Sequence, residues 1–204
     1  MAKPRIMVLY YSMYGNTFAM AKGVAEGIKE AGGEALLRTV PELIPSSAID
    51  SNAGMKKARE MQKDIPVAEV DELGKVDGII LGSPTRFGNM CAQLRNFLDQ
   101  TASLWLKGAL INKPAGVFCC TASLHGGQET TLISMMLTLF HHGCIIAGVP
   151  YSVPELITTK SGGTPYGPTA VVGPMADQLP NETDLKIAGE LGKRITNITK
   201  AMLK

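Results

Sequence analysis

The chain has 204 residues, 45% of them hydrophobic but only 5% aromatic, and a formal net charge of +2. An apolar content that high with 19% charged residues excludes a disordered chain, and the length can bury a substantial core as one domain spanning 1–204. A charge this small, spread along the chain, excludes nucleic acid as the main partner, because phosphate backbones are held by basic stripes.

Residues 5–11, RIMVLYY, are almost continuously apolar, which predicts a strand covered on both faces. The turn-like SMYGNT follows. Phe18, Ala21, Val24, Ala25 and Ile28 then recur at helical spacing, and Gly32-Gly33 stops that helix. Residues 34–40 read as a second strand, completing a βαβ unit. Residues 41–75 are more polar, carry three prolines and hold a weak helical piece near 54–63, so they read as an insertion after strand two. Residues 76–84 give a third strand ending at Gly82. From about residue 90, Leu94, Phe97, Leu98, Thr101, Leu104 and Trp105 share one stripe of a predicted helix. Residues 114–120 form a fourth strand, with Cys119 and Cys120 pointing to opposite faces. After the Gly-containing loop TASLHGGQET, Leu132, Met135, Met136, Leu139 and Phe140 mark another helix, ended by His141-His142-Gly143. Residues 144–149 are the fifth strand. The stretch 150–182 holds six of the twelve prolines and reads as a long functional loop. A last helix begins near Asn181 or Thr183, with Leu185, Ala188, Leu191, Ile195 and Ile198 on its core face. Strands alternating with helices five times predict a doubly wound parallel sheet.

Several classes drop out. No apolar stretch is long enough to span a bilayer, since 132–149 is interrupted by Thr138, His141, His142 and Gly143. The apolar run after Lys3 and Arg5 is too short for a signal-peptide core. The four cysteines show no CxxC spacing and the three histidines no paired helical spacing, so no metal site is expected. Free buried thiols suit a reducing cytoplasm, where the sequons at Asn181 and Asn197 mean nothing.

In an open parallel sheet, ligands bind beyond the carboxyl ends of the strands, at the switch in strand order. Three loops follow such ends: 12–17, 83–90 and 121–128. In the first, Ser12-Met13-Tyr14-Gly15-Asn16-Thr17 enters a helix, whose unsatisfied N–H groups and dipole favour an anion such as phosphate. Neither GxGxxG nor the Gly-Lys-Ser/Thr of a P-loop is present, which argues against a Rossmann-bound dinucleotide and against ATP. An ordinary capped turn is the plainer reading of this loop.

The residues also carry a resemblance. SMYGNT after an apolar first strand resembles the flavin-phosphate loop of flavodoxin-like proteins. Gly82-Ser83-Pro84-Thr85-Arg86-Phe87-Gly88-Asn89-Met90 is more specific. With Phe97-Leu98-Asp99-Gln100-Thr101, Trp105, Gly126-Gly127-Gln128-Glu129, His141-His142-Gly143 and Gly163-Thr164-Pro165-Tyr166-Gly167, the set is similar to the WrbA-like NAD(P)H:quinone oxidoreductases, in order from about residue 5 to 170. The resemblance implies a flavodoxin-like five-stranded parallel sheet of order 2-1-3-4-5. It also implies FMN as cofactor, NADH or NADPH as donor, and a quinone as acceptor reduced by two electrons in a ping-pong hydride transfer. By position, Ser12, Met13, Tyr14, Gly15, Asn16 and Thr17 would hold the phosphate. Pro84, Thr85, Arg86 and Phe87 would lie along the flavin ring, and Thr121, Ala122, Ser123, Leu124, His125 and Gly126 along its other edge. His141 would approach the flavin from a neighbouring subunit of a homotetramer, a dimer of dimers, as the catalytic hydrogen-bond donor. Tyr14, Phe87 and Trp105 would wall the substrate pocket, under a long loop bearing Tyr151 and Tyr166. The Ala-Ser-Leu-His run at 122–125 departs from the Ser-Thr-Gly-rich loop usual in the family and runs one residue longer, which changes the backbone contacts to a flavin. Each residue has a plainer role too: Trp105 as core, His141 and His142 as cations at a helix C-terminus, Arg86 as a surface ion-pair partner, His125 as solvent-exposed. A flavodoxin-type electron carrier shares fold and cofactor, but is typically strongly acidic.

Overall fold

The computed structural model describes residues 3–203. Its central sheet is built from β1 (Arg5–Tyr10), β2 (Glu34–Thr39), β3 (Gly78–Arg86), β5 (Pro114–Thr121) and β6 (Ile145–Ile146), in the order β2-β1-β3-β5-β6 and all parallel. That is the expected 2-1-3-4-5 arrangement, with β5 and β6 as expected strands four and five. Side chains alternate across it as a pleat requires. Met7 and Leu9 face a layer made by α4 (Ala92–Asp99) and α6 (Gln128–His141); Ile6, Val8 and Tyr10 face α1 (Asn16–Glu30) and α8 (Glu182–Met202). Cys119 and Cys120 fall on opposite sides, and all four cysteines are free and buried.

The insertion after β2 holds α2 (Ser46–Asp50), α3 (Ala53–Met61) and a 3-10 turn at Val70–Lys75. The predicted helix near 54–63 is α3, begun by the Asn52 side chain accepting from the Met55 N–H. The predicted helix through Trp105 is broken in two: α4 ends at Asp99 and α5 (Ala102–Leu106) restarts after Thr101, so Trp105 leaves the core stripe.

The fifth strand is shorter than expected. Only Ile145–Ile146 pair with β5, because Gly148 passes so close to Pro165 that a Cβ there would sit 1.9 Å from its carbonyl oxygen. The rest of that edge is taken by β7 (Thr169–Val171), parallel to β5 through Cys119–Thr121. Thr169–Val171 of the stretch read as a covering loop are therefore paired into the sheet, with Thr169 and Ala170 buried and one short helix, α7 (Glu155–Thr158), before them. In α8, Asn181 is the N-cap in a reciprocal box with Asp184. Ala188, Leu191 and Ile195 are buried as predicted, but Ile187 joins them while Leu185 and Ile198 sit at the margin. Thr196 and Thr199 widen the stripe by donating their hydroxyls to the carbonyls of Gly192 and Ile195, which satisfies them inside the core.

Candidate functional site

The site forms where β1, β3 and β5 end. After β1 the chain turns through Ser12, whose Oγ accepts from the Gly15 N–H at 3.1 Å. Gly15 takes φ 93, a left-handed angle that glycine adopts without strain, and starts α1 with no side-chain cap. The N–H groups of Asn16, Thr17 and Phe18 consequently have no intrahelical acceptor, at the positive end of a 15-residue helix. Asn16 and Thr17 are nonetheless buried. Asn16 Nδ2 donates to the Ala176 carbonyl at 2.8 Å, and its Oδ1 is buried with no partner.

β3 runs on past Gly82 to Arg86 and folds back as a hairpin onto β4 (Asn89–Met90). The turn residues, Phe87 and Gly88, both have positive φ, 52 and 77, the geometry of a tight two-residue hairpin. An aromatic residue is uncommon there. Phe87 is held fully out in solvent, so its backbone strain presents a ring outward instead of burying it. Arg86 Nη1 donates to the Thr85 carbonyl at 2.7 Å and Nη2 reaches Met13 Sδ at 3.5 Å. Among the described residues, no carboxylate pairs with it.

These parts meet in a cleft of about 160 Å³ lined by Ser12–Tyr14, Asn16, Thr17, Pro84–Arg86, Thr121 and Ala122. Cys120 also faces it, but burial pushes that thiol up to about 12, so it packs and does not attack. Of the predicted loop, Ser123, Leu124 and His125 form an exposed rim beside Gly126 and do not line the cleft. Val172, Gly173, Pro174 and Ala176 complete it from beyond β7. Sequence reasoning missed them; the Gly173-Pro174 pair ending an apolar run was the available signal. Tyr151 and Tyr166 do not line it.

The rim is fastened from below by Gln128. Its Oε1 accepts from the Thr169 hydroxyl, and its Nε2 donates to the Leu124 carbonyl at 2.9 Å. Gln128→Leu strands both partners, so unfolding should become easier by about 2 kcal/mol. Calorimetry should then find Tm lower by about 4–8 °C.

Trp105 and His141 lie elsewhere, in a groove between α4–α5 and α6 that also includes Asn89 and Met90 of the hairpin. Within one chain the hairpin separates groove from cleft: Thr85 and Arg86 line one, Asn89 and Met90 the other. Trp105 is 54% exposed, which removes the core reading, and His141 is exposed while His142 is buried. Burial, reinforced by the charge of His141, holds His142 below the ordinary imidazole value. The other charged groups of the groove, Arg95 and Asp99, pair with each other at 2.8 Å. With its folded value depressed, His142 leaves the unfolded chain binding more protons at low pH. Its contribution to stability is full above about pH 6.5 and is lost as pH falls below it. Urea unfolding from about pH 8 to about pH 5.5 should show this loss, and His142→Gln should flatten it.

A doubly wound parallel sheet whose strand ends gather an uncapped helix start and an unpaired arginine has the architecture of the flavodoxin-like proteins. The family model described as NADPH-dependent FMN reductase matches residues 4–155, three-quarters of the sequence, and the chain belongs to that family. A relative from Trichlorobacter lovleyi, named NAD(P)H dehydrogenase (quinone), is 48% identical, with 96% of this chain and 97% of the relative covered. One of the same name from Aromatoleum aromaticum is 42% identical, with 98% of each covered. A solved WrbA-like flavodoxin from Agrobacterium tumefaciens superposes with a TM-score of 0.69 at 24% identity over 98% of this chain and 99% of that one, which bears on the fold.

Proposed function

We propose that the protein is an FMN-dependent NAD(P)H:quinone oxidoreductase that reduces quinones by two electrons to hydroquinones. One observation carries the reading: the cleft gathers donors, the N–H groups at the start of α1 and the Arg86 guanidinium, with no carboxylate among the described residues to use them. Such a donor set fits an electron-rich anion with a phosphate at one end. The full-length relatives named NAD(P)H dehydrogenase (quinone) support the donor and acceptor.

Ser12 to Thr17 would hold the phosphate, with Pro84 to Arg86, Thr121 and Ala122 along the ring and Phe87 and Ser123 to Gly126 on the rim outside it. Bound FMN supplies the redox centre that takes hydride from NADH or NADPH and gives two electrons to the quinone. The protein supplies position and electrostatics. Arg86 stabilises negative charge in the cleft, and the hairpin excludes water from one side. Tyr14 and Phe87 wall the space for nicotinamide and quinone from one chain, and Trp105, which lies beyond the hairpin in its own chain, walls it from a neighbouring subunit. His141, contributed by a neighbouring subunit of a homotetramer, donates a hydrogen bond to the quinone oxygen. Four buried free thiols support a reducing compartment such as the cytoplasm.

The test is a flavin spectrum of the purified protein, followed by NAD(P)H-dependent benzoquinone reduction in the same cuvette. A yellow protein that oxidises NAD(P)H only when quinone is present is the expected result. A yellow protein inert toward both would make it a flavodoxin-type carrier, and a colourless one that takes up no FMN would make it a non-catalytic scaffold. Light scattering of the same sample tests the tetramer.

A further inference from the structure

One buried hydroxyl stands at the break between α4 and α5. Thr101 is 2% exposed, and its Oγ1 lies 2.6 Å from the Leu98 carbonyl oxygen and 2.8 Å from His142 Nε2. Two oxygens that close need a hydrogen between them, and a carbonyl has none to give. The Thr101 proton therefore goes to Leu98, its oxygen accepts from the imidazole, and His142 carries its hydrogen on Nε2. Nδ1 is left as an acceptor, buried and without a donor among the described residues. His142, only 8% exposed, is thus fixed through its ring by a single bond.

That bond joins the two elements that carry the groove's proposed pocket residues. His142 follows His141 directly at the end of α6; Thr101 directly precedes α5, which bears Trp105. Were α4 and α5 continuous, Trp105 would extend the apolar stripe of Leu94 and Leu98. The break turns it out into the groove that His141 lines. Among the described residues lining the groove, Arg95 and Asp99 are engaged with each other, and His141 is the other charged neighbour of the imidazole.

We propose that His142 is a positioning residue, whose Nε2–H bond to Thr101 sets the placement of Trp105 relative to His141 and so the shape of the pocket for nicotinamide and quinone. This rests on the reading of those two side chains given above. A lone bond at the junction of three helices is a sensitive control, because displacement of a pocket wall by a fraction of an ångström alters substrate positioning. Glutamine can offer the same N–H from its amide, with the amide oxygen in place of the acceptor ring nitrogen. The test exploits that.

Trp105 is the single tryptophan, so its emission reports the geometry directly. Thr101→Val removes the acceptor while keeping the shape, and His142→Leu removes the donor. Thr101→Ser and His142→Gln keep the bond. In the FMN-loaded enzyme, Thr101→Val and His142→Leu should raise the benzoquinone KM by about tenfold with little change in kcat or FMN content, and should shift Trp105 emission. The serine and glutamine variants should restore both. Wild-type emission and KM in Thr101→Val would overturn the proposal, and so would failure of the two conservative variants to restore them, which marks a merely structural role. If His142→Leu does not fold, Thr101→Val decides alone. If the wild-type protein reduces no quinone, the proposed function fails, while the emission series still decides the positioning.

Discussion

Gly27→Ala should lower the melting temperature by about 6–12 °C, the signature of about 3 kcal/mol lost in a chain of this size. The residue lies where α1 crosses α8, and a Cβ there would sit 1.9 Å from the Gly189 carbonyl oxygen, 2.6 Å from its carbon and 2.8 Å from its Cα. All three atoms are backbone, so relief requires the helices to separate, which opens the layer holding Val24, Ile28, Ala188 and Leu191. Gly192→Ala should behave alike, since its Cβ would meet the Val24 carbonyl oxygen at 2.2 Å. Gly189→Ala is the control. Its nearest neighbour is 3.6 Å away, so the better helix propensity of alanine should leave stability unchanged or raised by about 1 kcal/mol. Thermal melts followed by circular dichroism separate the three, and equal losses in all would show that close approach is not what holds the crossing.

The crossing also shows what a sequence can and cannot disclose. Gly23, Gly27, Gly189 and Gly192 are all visible in it, but a helical glycine reads as a weakness until its partner helix is known. Periodicity sees one chain segment at a time. It therefore found the sheet, α1 through Phe18–Ile28, and the two faces of Cys119 and Cys120. Contacts between segments lie outside its reach. Thr101, at the break, bonds to His142, which is 41 residues away in sequence. The shortened fifth strand depends on Pro165 pressing against Gly148. For the cleft, Ser12 to Thr17 and Pro84 to Arg86 were legible because strand-end loops are where parallel sheets bind ligands. Val172 to Ala176 were not, because their place follows from β7 pairing with β5, and a three-residue strand carries too little pattern to announce itself.

Arg86→Glu should weaken FMN binding by about 100-fold, or about 2.7 kcal/mol. Two effects add. The charge-assisted hydrogen bonds of the guanidinium are lost, at about 1.5–3 kcal/mol, and a carboxylate enters a cleft built from donors. Arg86→Lys keeps the charge but not the planar fork, so about tenfold is expected there. The folded protein itself barely depends on the side chain, whose own partners are one carbonyl and one thioether sulfur. Melting of the flavin-free variants should therefore match wild type within about 0.5 kcal/mol. Added FMN should raise the wild-type melting temperature and raise that of Arg86→Glu by less, the two differing by up to about 2.7 kcal/mol of stabilisation at one FMN concentration, because a ligand stabilises by RT ln(1 + [L]/Kd). Fluorescence titration of FMN measures the affinities, and wild-type binding by Arg86→Glu would remove the arginine from the site. A loss that appears equally in the flavin-free melts would instead make Arg86 a structural residue. The pairing of unchanged fold with lost affinity is what an unpaired cation kept for a ligand predicts.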